Sequence, residues 1–175
     1  MKTLTQFFNP FLNESQADAQ YEVIENMTLD AKNFNGLSIS GSLFSLTTFK
    51  NVTFEFCVFY GSKMENCKFV NCKFSNCEFK FTSISHCNFT GTEFENCNWD
   101  FSPIRKSEFN FSRLDAVTMH YASKEENTFS SCMSNNDLTW DQALAAEEAE
   151  AQVVKLHTET FTDLLENFLF GKQAA

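Results

Sequence analysis

A chain of 175 residues has room for one domain with a substantial core and a small appendage. No run of about 18 apolar residues marks a membrane-spanning helix, and the formal charge of −10 is uneven: −2 over residues 1–23, −1 over 24–121 and −7 over 122–175. The acidity therefore sits in the tail, and 22 phenylalanines imply one packing environment used many times over.

Residues 1–21 come first. Their apolar groups, Phe7, Phe8, Phe11 and Leu12, are interrupted by polar Asn9 and preceded by Thr5 and Gln6, so a secretory leader's continuous apolar stretch is missing. A cytoplasmic location is expected, where the seven cysteines would stay reduced. The segment is expected to cap the end of the array that follows, since an uncovered solenoid end aggregates.

Residues 22–133 carry a repeat of five. From Ile24 every fifth residue is large and apolar, through Phe34, Phe54, Phe74 and Phe94 to Met119; the series fails at Lys124 and reappears at Phe129. Two positions before each large residue the side chain is small from Ser42 onward, running through Cys57, Cys67, Cys72, Cys77, Thr82, Cys87, Thr92 and Cys97 to Val117. A helix cannot hold such a series on one face, because five steps of roughly 100° advance about 140° past a full turn. A strand cannot either, because an odd period alternates faces. The chain must turn a corner in every unit. The expected unit is an extended triplet (small inward, polar outward, large inward) followed by two turning residues. The second turning position holds Gly36, Gly41, Gly61 and Gly91 together with Asn51, Asn66, Asn71, Asn76 and Asn96. Glycine and asparagine are the residues that tolerate a positive φ in tight turns.

Units such as Asn66-Cys67-Lys68-Phe69-Val70 resemble those of pentapeptide repeat proteins, with Cys/Ser/Thr-x-Phe in place of the commoner Ala-Asp/Asn-Leu. The resemblance implies an all-β solenoid, a right-handed quadrilateral β-helix with four units per coil. About five coils would make a rod about 24 Å long at strand spacing. It also implies a non-enzymatic, protein-binding role without a cofactor, and an alternative: a DNA-mimic binder of DNA gyrase or topoisomerase IV that protects it from quinolones or toxins. Mimicry needs a strongly negative rod, whereas the repeat carries about −1.

Residues 134–175 read as a helical extension. Thr139-Trp140-Asp141-Gln142 resembles a capping box. Further on, Phe161, Leu164, Leu165, Phe168 and Leu169 recur at helical spacing. Family members with a terminal helix dimerise through it, so these five residues are the expected homodimer interface.

Few residues suggest chemistry. Cysteine shares its register with Ser, Thr and Val, which makes it a small packing residue rather than a zinc ligand; Cys132 has no assigned place. His86, His120 and His157 have no metal or nucleophile spacing, and no catalytic or metal-binding set emerges. Lys63, Lys68 and Lys73 fall on three different sides, with Lys80 beyond them, so they form no stripe along a nucleic acid. More telling are outward aromatics: Phe81, Phe101 and Tyr121 stand twenty apart in one column with Gly41 and Gly61, and Tyr60, Phe56 and Phe111 add to them. Tyr60, Phe81, Phe101, Phe111 and Tyr121 are the candidate surface for a protein partner or for the chain's own tail.

Overall fold

A computed structural model describes residues 19–135 except Lys124, together with Leu138, Gln142, Ala143 and Ala145. The two compact units of the chain are residues 1–139 and 140–175; in the second, Gln142, Ala143 and Ala145 are helical. The cap expected of residues 1–18 and the dimer interface Phe161, Leu164, Leu165, Phe168 and Leu169 lie outside the described residues, as do His157 and most of the capping box.

The first unit is a four-sided parallel β-helix. Its first sheet stacks Ala19–Gln20, Ser38–Ser40, Val58–Tyr60, Glu78–Lys80 and Asn98–Asp100. The second stacks Val23–Glu25, Leu43–Ser45, Lys63–Glu65, Ser83–Ser85 and Ile104–Arg105. The third runs Thr28–Asp30, Thr48–Lys50, Lys68–Val70, Asn88–Thr90, Glu108–Asn110 and Thr128–Ser130. The fourth runs Asn33–Asn35, Thr53–Glu55, Lys73–Ser75, Glu93–Glu95, Arg113–Leu114 and Met133–Ser134. Partners stand twenty residues apart, as in Phe69 opposite Phe49 and Phe89. The solenoid makes about six turns rather than five. The repeat already begins at Ala19 and resumes after residue 123 with two further strands.

Each strand triplet is one residue later than expected. It centres on the large inward residue, and the small residue lies at the corner beside the turning one. Every turning residue from Tyr21 to Phe111, and Ser131, has a positive φ of 47–68°. Glycine and asparagine adopt this without strain, whereas a bulky side chain there is a conformational outlier.

The large series fills the interior, and of its twenty members only Phe34 is not fully buried. Phe49, Phe69, Phe89, Phe109 and Phe129 form one column with centroid spacings of 4.8, 4.9, 4.7 and 5.2 Å. Phe34, Phe54, Phe74 and Phe94 form a second, at 5.2, 4.9 and 4.9 Å. The small inward residues have a specific polar task. Thr82 Oγ1 donates to Phe59 O at 2.9 Å, Ser112 Oγ to Phe89 O at 3.1 Å, and Cys77 Sγ to Phe54 O at 3.3 Å. Each gives a second donor to a buried strand carbonyl 23 positions earlier and so pairs its own polar group inside the core. Cys132 belongs to this set: buried, it donates to Phe109 O at 3.3 Å.

One side of the last turn departs from the repeat. Met119 and Val117 satisfy the period, yet helix α1, Ala116–Ser123, replaces the strand expected there. Asp115 caps it: Oδ1 accepts the Thr118 N–H at 2.7 Å, and Oδ2 accepts the Cys97 N–H at 2.7 Å. The second bond replaces the hydroxyl that Val117 lacks, because equivalent N–H groups elsewhere bond to the next coil's Ser, as Thr82 N does to Ser102 Oγ at 2.9 Å. Beneath α1, Trp99 Nε1 donates to Thr118 Oγ1 at 2.8 Å. Asn127 then restores the register. Its Oδ1 accepts the Ser107 N–H at 2.8 Å, while its Nδ2 donates to Ile104 O at 2.8 Å and to Ala122 O at the end of α1 at 2.7 Å.

Candidate functional site

The edge between the first and second sheets is built by the turning residues Tyr21, Gly41, Gly61, Phe81 and Phe101. Phe81 and Phe101 are 57% and 81% exposed, and their rings stack at 5.5 Å with planes 4° apart. Tyr60, half-exposed on the neighbouring strand, meets Phe81 edge-on at 5.7 Å. The sequence-predicted residues Tyr60, Phe81 and Phe101 thus form one contiguous aromatic patch. Below it, a Cβ on Gly61 would meet nothing within 4 Å, whereas one on Gly41 would lie 2.7 Å from the Tyr21 ring. Tyr21 lies over Gly41 and extends the edge. The sequence reading assigned Tyr21 to the cap; its position twenty residues before Gly41 is the signal that places it here.

The other two candidates stand apart. Phe111 is 69% exposed, on the edge between the third and fourth sheets. Tyr121 is not a turning residue at all: it lies in α1, only partly exposed, with its ring 6.5 Å from Trp99 and 6.0 Å from His120. The column expected to continue to Tyr121 therefore ends at Phe101, because the helix removes the corner. Phe56, more than half exposed, occupies the edge between the fourth and first sheets, and Val58 projects from the first sheet between it and Tyr60.

Charges around the patch are mixed. Lys80 Nζ pairs with Glu78 Oε2 at 2.5 Å, and that carboxylate raises the ammonium above its usual range. Lys63 pairs with Glu65 at 2.7 Å on the second sheet, and Lys73 with Glu95 at 2.7 Å on the fourth. Lys63, Lys68 and Lys73 do fall on three different sheets.

The seven cysteines are buried free thiols. Burial raises Cys72 and Cys132 and takes Cys97 to about 12. Cys77 and Cys87 are pushed up by the thiol one coil below and by burial. Among the described residues no group of three or more His, Cys, Asp or Glu side chains could hold a metal ion. No helix among them is long and apolar enough to cross a membrane.

A coiled stack of five-residue units with a small and a large inward residue in each defines a class, and comparison with known families agrees. Residues 62–98 match the family model of pentapeptide repeats, in eight copies, which supports a pentapeptide repeat protein. No curated protein matches it. Among solved structures it is similar to two of trypsin-treated QnrB1 variants, described as a plasmid-mediated fluoroquinolone resistance protein. One is 19% identical, covering 58% of this chain and 60% of that one, with a TM-score of 0.21. The other is 14% identical, covering 67% and 80%, with a TM-score of 0.29. Similarity at that level says nothing of what this chain binds.

Proposed function

We propose that this pentapeptide repeat scaffold is a non-enzymatic protein-binding module whose recognition surface is the aromatic edge of Tyr60, Phe81 and Phe101. One observation carries the proposal. Phe81 and Phe101 occupy left-handed turning positions, with φ of 52° and 47°, as Phe56 and Phe111 do elsewhere, and their rings join with Tyr60 into one contiguous exposed patch. A phenylalanine there is doubly unfavourable: the backbone conformation disfavours a bulky side chain, and the ring stays in water. Neither cost helps the solenoid, and strain of this kind concentrates where a surface is used. The buried free thiols suit a reducing compartment, so we place the protein in the cytoplasm.

Mimicry of DNA toward a type II topoisomerase is the weaker reading. The acids of the described faces are interleaved with lysines, as in Lys63–Glu65, Lys73–Glu95 and Lys80–Glu78, where a phosphate-like surface needs unbroken negative charge. A gyrase supercoiling assay with a fluoroquinolone should show no protection at stoichiometric protein; protection would favour that reading. The edge itself is tested with full-length bait. A protein retained by wild type and lost with Phe81→Asn/Phe101→Asn supports it, and equal retention by both refutes it.

A further inference from the structure

The aromatic edge is complementary to itself. Along it the turning residues run Gly41, Gly61, Phe81, Phe101: two glycines, the first covered by the Tyr21 ring and the second open, followed by two projecting rings at the coil spacing of about 4.8 Å. Lay a second rod against this edge, antiparallel, with the two-fold axis in the contact plane between the coils of Gly61 and Phe81. Phe81 then falls on Gly61 of the second copy, and Phe101 on Gly41 of the second copy. The first recess is open, because nothing lies within 4 Å of a Cβ there. At the second, Phe101 meets the Tyr21 ring that covers Gly41, an aromatic pairing worth having at an interface. A parallel pairing would set rings on rings and recesses on recesses.

The flanking strands obey the same symmetry. On the first sheet the outward residues of the upper two coils are Glu78, Lys80, Asn98 and Asp100, and those of the lower two are Ser38, Ser40, Val58 and Tyr60. The antiparallel two-fold sets Lys80 over Tyr60 of the second copy, a cation on an aromatic face. It sets Asp100 over Ser40 of the second copy and Glu78 over Val58 of the second copy. In no pairing does a charge meet its own sign, the commonest obstacle to an isologous interface. The available area also suffices. Tyr21, Tyr60, Phe81 and Phe101 expose 80%, 51%, 57% and 81% of their surfaces. At roughly 200 Å² each, that is on the order of 500 Å² of aromatic surface per copy. A standard interface takes about 800 Å² per partner, with a polar rim, and the flat outward face of the first sheet supplies the remainder.

We infer that the partner recognised by the aromatic edge is a second copy of this chain, bound antiparallel with Phe81 seated on Gly61 and Phe101 against the Tyr21 ring that covers Gly41. The inference rests on the reading of that edge as a protein-binding surface. It differs from dimerisation through residues 161–169, and the two are separable.

Analytical ultracentrifugation of the full chain near 50 μM should give twice the 20.1 kDa chain mass. Phe81→Asn/Phe101→Asn should weaken the dimer about a hundredfold, the loss expected of central hot spots. Gly61→Phe should do the same by filling the recess, and the corner backbone accepts that residue, as Phe56, Phe81, Phe101 and Phe111 show. Leu165→Asp in the tail should leave the dimer intact. Circular dichroism checks that each variant is folded. A monomeric wild type, or a dimer that survives both corner substitutions, overturns the inference. If wild type is monomeric but a foreign protein is retained through Phe81 and Phe101, self-association fails while the edge remains a binding surface. If nothing binds through the edge, both fail.

Discussion

Phe74 occupies the middle of the core and gives the sharpest test of the stacking. It is 1% exposed, lies parallel to Phe54 and Phe94 at 4.9 Å on either side, and meets Phe69 edge-on at 5.6 Å. Truncation to alanine removes the ring from a column whose neighbours are held by the parallel ladders above and below, so the space cannot collapse. Loss of a buried phenylalanine in such a site costs about 3–5 kcal/mol, with each lost ring pair contributing about 0.5–1.5 kcal/mol beyond area alone. Phe34, two coils lower in the same column, is only half-buried and stacks on Phe54 at 5.2 Å. Phe34→Ala should therefore cost less than half as much. Urea denaturation followed by far-ultraviolet circular dichroism measures both. A loss below about 1 kcal/mol for Phe74→Ala, against the range expected for core truncation, would refute the reasoning. Equal losses at the two positions would do the same.

Other expectations follow from the small inward positions and the helix cap. A thiol reagent at pH 8 should label none of the seven cysteines in the native protein and all of them after unfolding, because every one is buried. The raised thiols also link stability to alkali. Unfolded cysteines ionise near pH 8.5 while folded Cys97 holds its proton to about 12. The Cys97 contribution should thus be constant below about pH 8.5 and fall above it by about 1.4 kcal/mol per pH unit. Denaturant midpoints from pH 7 to 10 would show this, and a midpoint that rises with pH would contradict it. Asp115→Ala removes a helix cap and leaves the Cys97 N–H without its acceptor, so it should cost about 2–4 kcal/mol in the same assay. Asp115→Asn, which keeps one acceptor oxygen, should lose less.

The fold was legible because two unrelated signals shared one register: the large apolar series, and the Gly and Asn residues at the turns. Gly36 and Asn51 announce corners, and the structure puts a positive φ at both. Helix α1 was hidden because Val117 and Met119 meet the repeat's size rule by chance. The visible clue was Asp115 three residues before Thr118, a capping arrangement inside a strand pattern. Cys132 was missed for a related reason. Helix α1 replaces a strand without changing the turn length, so Phe129 still pairs with Phe109 and Cys132 keeps its place. Asn127 escaped because its amide performs a task that Ser, Thr or Cys performs elsewhere. The aromatic edge was readable in part: spacing twenty apart aligned Phe81 with Phe101, but only coordinates show Tyr21 lying over Gly41.

The central claim is that the corner aromatics serve recognition and not the fold. Thermal melting of Phe81→Asn/Phe101→Asn against wild type, at a dilution where both are monomeric, tests it most directly. Asparagine tolerates the left-handed conformation that phenylalanine resists, so the variant should melt at or above the wild-type temperature. A drop of several degrees would show that the exposed rings hold the solenoid together, and would contradict the account.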